Sequence, residues 1–255
     1  MCPDEKARFD SSHPRFISLR ERELLVAGFR AGLVVPEGLI AHGRGEMFDY
    51  LFGEETLAPA LSAERAAAAA LMIAEKPVIS VNGNTAALCA EEIVLLSKVT
   101  GACIEVNLFH WSDERAKAIR RLLESKGGSE VLAEDPDAVL EGVHHDRGRC
   151  HAAGIFSADT VLVPLEDGDR ACALAGMGKT VISIDLNPLS RTTLFSTISI
   201  VDEVTRAIPN IIRFSNELAE NAVLASNTVQ SFDNAAQLRE LFRLIGERFA
   251  KLAHP

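Results

Sequence analysis

The segment VLVPLEDGDRACALAGMGKTVISIDLNPLSR, residues 161–191, carries two apolar, β-branched runs, 161–165 and 180–184. Each run reads as a strand buried on both faces. Each ends in a polar turn: Glu166-Asp167-Gly168-Asp169-Arg170 after the first, Asn187-Pro188-Leu189-Ser190-Arg191 after the second. Between them a helical segment of about 169–177 is closed by Gly178. Strand, crossover helix and strand make one βαβ unit, which puts both polar turns at the same edge of a parallel sheet. Open α/β sheets bind ligands at that edge, beyond the carboxyl ends of the strands. Carboxylates, an amide and two arginines meet there, so the chemistry is expected there.

Working outward, strands keep alternating with helices. A helix is expected over 18–31, with Gly32 as its stop. VVPEGLIAHGRGEMFDYLFG, 34–53, holds four glycines and no regular period, and reads as a loop with His42, Arg44 and Glu46 that serves either as a linker, which composition favours, or as a ligand clamp. The alanine-rich 56–75 is strongly helical, and Pro77 ends it and opens a strand over 78–81. Asn82-Gly83-Asn84-Thr85 then leads into a helix over 86–99. That turn fits an anion at a helix N-terminus, and equally a plain βα turn capped by Asn84 or Thr85. A strand over 102–108, a helix over 112–126, a weak strand over 130–133 and the run HHDRGRCH, 144–151, follow. Beyond Arg191 come a strand over 197–201, a helix capped by Asp202 that reaches towards Asn221, and a last helix over 233–252. The expectation is a single α/β domain over 1–255, Rossmann-like, with a doubly wound, mostly parallel sheet. Helical segments are added at both ends: 12–56, which includes the glycine-bearing loop, and 203–255. Residues 1–11 read as a frayed start.

At 255 residues with 47% hydrophobic and 24% charged side chains, the chain has ample material for one large core. A formal charge of -10 argues against a nucleic-acid surface, which wants excess Lys and Arg. No apolar run approaches the roughly 20 residues of a membrane span, and the charged start MCPDEKARFD is no secretory signal. Cys2, Cys89, Cys103, Cys150 and Cys172 form no CxxC pair, which fits a reduced cytoplasm.

His144, His145, Cys150 and His151 crowd into eight residues, unlike the paired spacing of a structural zinc site. No P-loop, no G-x-G-x-x-G after a strand and no G-x-S-x-G elbow is present. The missing glycine fingerprint speaks against a nicotinamide-dependent oxidoreductase. Trp111 reads as a packing residue. Arg15, Arg22, Arg44, Arg147, Arg170 and Arg191 lie beside glycines or turns, where arginine clamps phosphate or carboxylate if several converge.

Five motifs occur in order: Ser12-His13-Pro14-Arg15, Gly38-Leu39-Ile40-Ala41-His42-Gly43-Arg44-Gly45-Glu46, Val81-Asn82-Gly83-Asn84, the 164–170 turn and Ile184-Asp185-Leu186-Asn187-Pro188-Leu189-Ser190-Arg191. With them the chain resembles the archaeal phosphopantothenate synthetase family, also called 4-phosphopantoate–β-alanine ligases, from about residue 12 to 252. The resemblance implies a ligase of coenzyme A biosynthesis, homodimeric and cytoplasmic. It would condense 4-phosphopantoate with β-alanine at the expense of ATP, with Mg²⁺, to give 4'-phosphopantothenate, AMP and diphosphate through an acyl adenylate. It implies nucleotide contacts at Arg22, Arg44, Asp185, Leu186, Asn187, Arg191, Thr192, Glu203 and Val204. The family carries Asn where this chain has Glu203, so a backbone contact is the one expected there. Catalytic roles fall on His42, Arg44, Asp167 and Asp169, and substrate contacts on Arg15, Asn82, Asn84, His145, Arg147 and Arg170. The metal ligands are left unassigned. A non-catalytic protein that binds a nucleotide or a coenzyme A precursor would keep the arginine clamps without the reacting groups.

Overall fold

A computed structural model describes residues 10–253. Most of the expected frayed start, and Cys2, lie outside the described residues. In chain order the elements are α1 Phe16–Arg30, α2 Pro36–Gly45, α3 Met47–Phe52, α4 Ala58–Ile73, β1 Pro77–Val81, α5 Gly83–Thr100, β2 Cys103–Val106 and α6 Asp113–Ser125. A small antiparallel pair, β3 Ala138–Val139 and β4 Arg149–Cys150, comes next. The series closes with β5 Thr160–Pro164, α7 Gly168–Gly176, β6 Thr180–Ile184, α8 Arg191–Phe195, β7 Ile198–Ile200, α9 Val204–Leu218, α10 Ala222–Ser231 and α11 Asn234–Ala253.

β2, β1, β5, β6 and β7 form one all-parallel sheet in that order. The pleat divides the core in two. Ile79, Val81, Leu162, Ile182 and Ile184 pack on the face that carries α4, α5 and α9. Val78, Val161, Val163 and Val181 point the other way, onto α7 and the segment around Leu140, Cys150 and Ile155. Helices thus cover both faces, and the Rossmann-like α/β expectation is correct. Strand order reverses between β1 and β5, so the crevice beyond their carboxyl ends is the topological switch point.

Local expectations needed correction. Residues 34–53, read as a loop, contain α2 and α3. Pro36 sits in the first turn, where its missing N–H costs nothing. Gly38 and Gly45 serve close packing instead of breaking α2. A Cβ on Gly38 would overlap the Asn84 side chain, and one on Gly45 would stand 3.2 Å from Leu186 Cβ. Asn82, not Asn84 or Thr85, caps α5 by accepting from the Thr85 amide at 3.0 Å. Glu203, not Asp202, is the N-cap of α9. Residues 130–133 make only an isolated bridge, Glu105 to Leu132, instead of a strand. α8, α10 and the β3–β4 pair are additions, each too short or too weakly periodic to announce itself.

Candidate functional site

β1 and β5 are tied together where they end. The Asn82 side-chain amide donates to the carbonyls of Pro164 (2.9 Å) and Leu165 (3.1 Å), bridging the two strands across the switch point. Leu165 takes a left-handed φ of 53°, uncommon for a branched side chain. Such strain persists only where surrounding structure holds it, as the Ile184 carbonyl does by accepting the Leu165 amide. Over this crevice lies a cavity of about 520 Å³. Its walls come from α2, the turns after β1, β2, β5 and β6, and the start of α6.

Glu166 organises the β5 turn. Its side chain is 1% exposed and receives the guanidiniums of both Arg147 and Arg170. Burial alone would raise its carboxyl, but the two cations outweigh burial and hold it below the ordinary range. Arg170 is wholly buried and also donates to Ser80 Oγ at 3.1 Å. It stands beneath Glu166, away from the cavity, so the expectation that it touches substrate meets a supporting residue instead. Arg147 lines the cavity.

Asp167, next along, caps α7: its Oδ1 accepts from the amides of Asp169 (2.7 Å) and Arg170 (3.4 Å). Its Oδ2 lies 3.6 Å from Nε2 of His145, whose ring packs on Phe109. Asp169 is half-exposed and pairs with Arg191 at 2.5 Å, outside the cavity wall. In the β6 turn, Asp185 accepts from the Asn187 amide at 2.9 Å, and burial raises its carboxyl. Thr192 turns inward and donates to the Glu166 carbonyl at 2.9 Å, joining the two turns.

α2 forms the opposite wall. Asn84 donates to the Gly38 carbonyl at 2.9 Å and fixes α2 against α5. Arg44 is exposed on the cavity and pairs with no carboxylate among the described residues. His42 is buried on the inner side of the same wall, and burial pulls its pKa down. Nearby, burial pushes Glu21 up to about 7 and Glu203 well above the carboxylate range. Arg22 is held by both oxygens of Glu46, at 2.8 and 2.5 Å.

Of the residues singled out from sequence, His42, Arg44, Asn82, Asn84, Arg147, Asp167, Asp185, Leu186 and Asn187 line one cavity. His145, Thr192 and Arg170 support its wall, and Asp169 and Arg191 flank it. Val204 and Glu203 sit behind it, buried at the start of α9. Arg15 is elsewhere, paired with Glu54 at 3.0 Å and stacked on Tyr50. His144 is exposed, and His151 is bound to Glu105 and the Glu134 carbonyl, so the HHDRGRCH run does not close on one point. Sequence reasoning missed Arg115. It lies in the first turn of α6 and reaches back to the carbonyls of Leu33 and His110, lining the cavity. Its place just past a strand end was the available signal.

The cavity therefore joins Arg44, Arg115 and Arg147 to the carboxylates of Asp167 and Asp185, a set that suits phosphates, a carboxylate and an amine. Residues 59–248 match the family model described as phosphopantothenate/pantothenate synthetase. The chain is 52% identical to the 4-phosphopantoate–beta-alanine ligase of Methanosarcina mazei over 94% of its own length and 95% of that protein's. It is equally close, 52%, to the ligase of that name from Methanospirillum hungatei, over 93% of this chain and 96% of the other. The ligase of that name from Thermococcus onnurineus is 44% identical, over 96% and 95% of the two chains. With one cavity assembled from all but one of the motifs, and likeness along nearly the whole length, the chain belongs to the phosphopantothenate/pantothenate synthetase family.

Proposed function

We propose that this protein is a 4-phosphopantoate–β-alanine ligase that uses ATP and works by way of an acyl adenylate. One observation carries the reading: distant motifs line a single arginine-rich cavity in a chain 52% identical, almost end to end, to a ligase of that name.

Joining a carboxylate to an amine requires that a carboxylate oxygen become part of a leaving group. In the first half-reaction that oxygen attacks the α-phosphorus of ATP, and diphosphate leaves. In the second, the amine nitrogen of β-alanine attacks the acyl carbon, the C–O bond to AMP breaks, and the nitrogen gives up its protons. The main obstacle is mutual repulsion between two phosphorylated reactants and a carboxylate. Arg44, unpaired and exposed on α2, is placed to meet the polyphosphate, while Arg115 and Arg147 meet the anionic ends of phosphopantoate. The Asp185-Leu186-Asn187 turn takes the nucleotide, with backbone contacts at Arg191-Thr192. Asp167 holds the ammonium of β-alanine and accepts its proton, and His145 beside it passes the proton outward. Asp167, Asp169 and His145 bring ligand atoms within 4.8 Å of one another, and Asp169, the carboxylate of that open turn not given to the amine, would hold the Mg²⁺ that arrives with ATP. Such an ion neutralises phosphate charge when bound. The protein is read as a cytoplasmic homodimer, and light scattering on the purified chain checks the dimer.

The test is AMP release from ATP, with 4-phosphopantoate and β-alanine each omitted in turn. AMP formed only with the complete mixture is the expected result. A binding protein without turnover would form none. Arg44→Ala and Asp185→Ala should each lower adenylate formation at least about a hundredfold while the circular dichroism spectrum stays native. Full activity in either variant removes that residue from the mechanism.

A further inference from the structure

Behind the α2 wall, three side chains from separate elements converge. Glu21 of α1, His42 of α2 and Glu203 at the N-cap of α9 bring one ligand atom each to within 4.8 Å of the other two. All are buried, at 3%, 6% and 1% exposure. The Nε2 of His42 is sealed from solvent without a hydrogen-bond partner. The carboxylates are thinly served: Glu21 accepts from Thr205 Oγ1, and Glu203 from the amide of Val204. No lysine or arginine among the described residues forms an ion pair with either. Arg206 passes close, but its guanidinium is taken by Asp49 at 2.8 Å and Asp202 at 2.6 Å. Arg22 is likewise committed to Glu46.

Two buried carboxylates with no paired cation are costly. Protons can relieve that cost, or a dication can. Two carboxylates and one imidazole exactly offset a charge of two and leave coordination positions for water or a neighbouring hydroxyl such as that of Thr205. Ligands of one such ion stand about 2.0–2.2 Å from it, so atoms already within 4.8 Å need only side-chain adjustments to share one. His42 also lines the cavity, which supplies a route of entry.

We infer that Glu21, His42 and Glu203 form a binding site for a divalent transition-metal ion of the zinc or cobalt kind. Imidazole favours these over magnesium. The ion ties α1, α2 and α9 together and holds α2 against the cavity. This site is separate from the turn that carries Asp167, and it does not rest on the ligase reading.

The experiment uses the full chain, stripped with chelator and without ATP, titrated with Co²⁺ and then Zn²⁺. Expected are visible d–d absorption rising to one Co²⁺ per chain, loss of that absorption on adding Zn²⁺, and no displacement by excess Mg²⁺. His42→Gln and Glu203→Gln should each weaken Co²⁺ binding at least about tenfold, while His145→Ala leaves it unchanged. If Glu203→Gln fails to fold, Glu21→Gln provides the same readout from another helix. The inference is overturned if the folded wild type takes up neither ion. It is also overturned if His42→Gln binds as tightly as the wild type, or if only His145→Ala loses the ion.

Discussion

Glu166 and its two arginines show how a single buried charge positions a site. Arg147 reaches the cavity and Arg170 does not, yet both depend on the same carboxylate. Removing its charge leaves two buried guanidiniums with no counter-ion, a loss far larger than that of a surface pair. Glu166→Gln should therefore cost about 3 kcal/mol in urea unfolding and should also reduce ligase activity through Arg147. A loss of less than about 1 kcal/mol would show the cluster to be weakly coupled. The sequence marked Arg147 and Arg170 alike as arginines near turns. Their different fates follow from direction. Arg170 lies one helical turn beyond Glu166 and points under the sheet edge to Ser80, while Arg147 arrives from a distant segment.

At the scale of elements, the close approach of α5 to the chain between α1 and α2 sets the depth of the cavity. A Cβ on Gly83 would drive into the backbone carbonyl of Leu33, and no side-chain rotation relieves a clash with backbone. Gly83→Ala should destabilise the fold by about 3 kcal/mol and shift the connection that carries Val35 into the cavity. Thermal unfolding checks the first effect, and KM for ATP and phosphopantoate the second. A variant with wild-type Tm would mean that this contact yields easily. α2 was not legible because its glycines look like loop residues in a one-dimensional pattern. They are tolerated because packing against Asn84 and Leu186 replaces the helix propensity they lack.

Across the whole molecule, the interface of α4 with α9 buries an acid pair. Glu64 is fully buried with both carboxyl oxygens unpartnered, beside Asp202, and burial followed by the Asp202 charge raises its pKa to about 9. In the unfolded chain it ionises near its ordinary 4.5. Between those values the folded state holds a proton that the unfolded state has lost, so stability falls as pH rises through this window. Glu64→Gln carries no such titration. It should be nearly neutral at pH 5 and more stable than wild type by on the order of 2 kcal/mol at pH 8. Urea unfolding at both values reads the difference, and equal effects at the two would show that Glu64 titrates normally.

The sequence alone determined the βαβ unit at 161–191, the parallel alternation of strands and helices, and the edge at which the polar turns gather. Periodicity and turn chemistry are local, and right-handed crossovers leave few arrangements open to them. The motifs on that edge also specified the family before any contact was known. Only the tertiary structure decided which motif residues face the cavity and which hold up its wall. It turned His42 inward beside Glu21 and Glu203, sent Arg115 to the cavity and Arg15 away from it, and made a helix of the glycine-bearing segment. Those outcomes depend on strand order and on close backbone approach between segments far apart in the chain. Burial and charge pairing, which then fix each side chain's role, exist only once those segments have met.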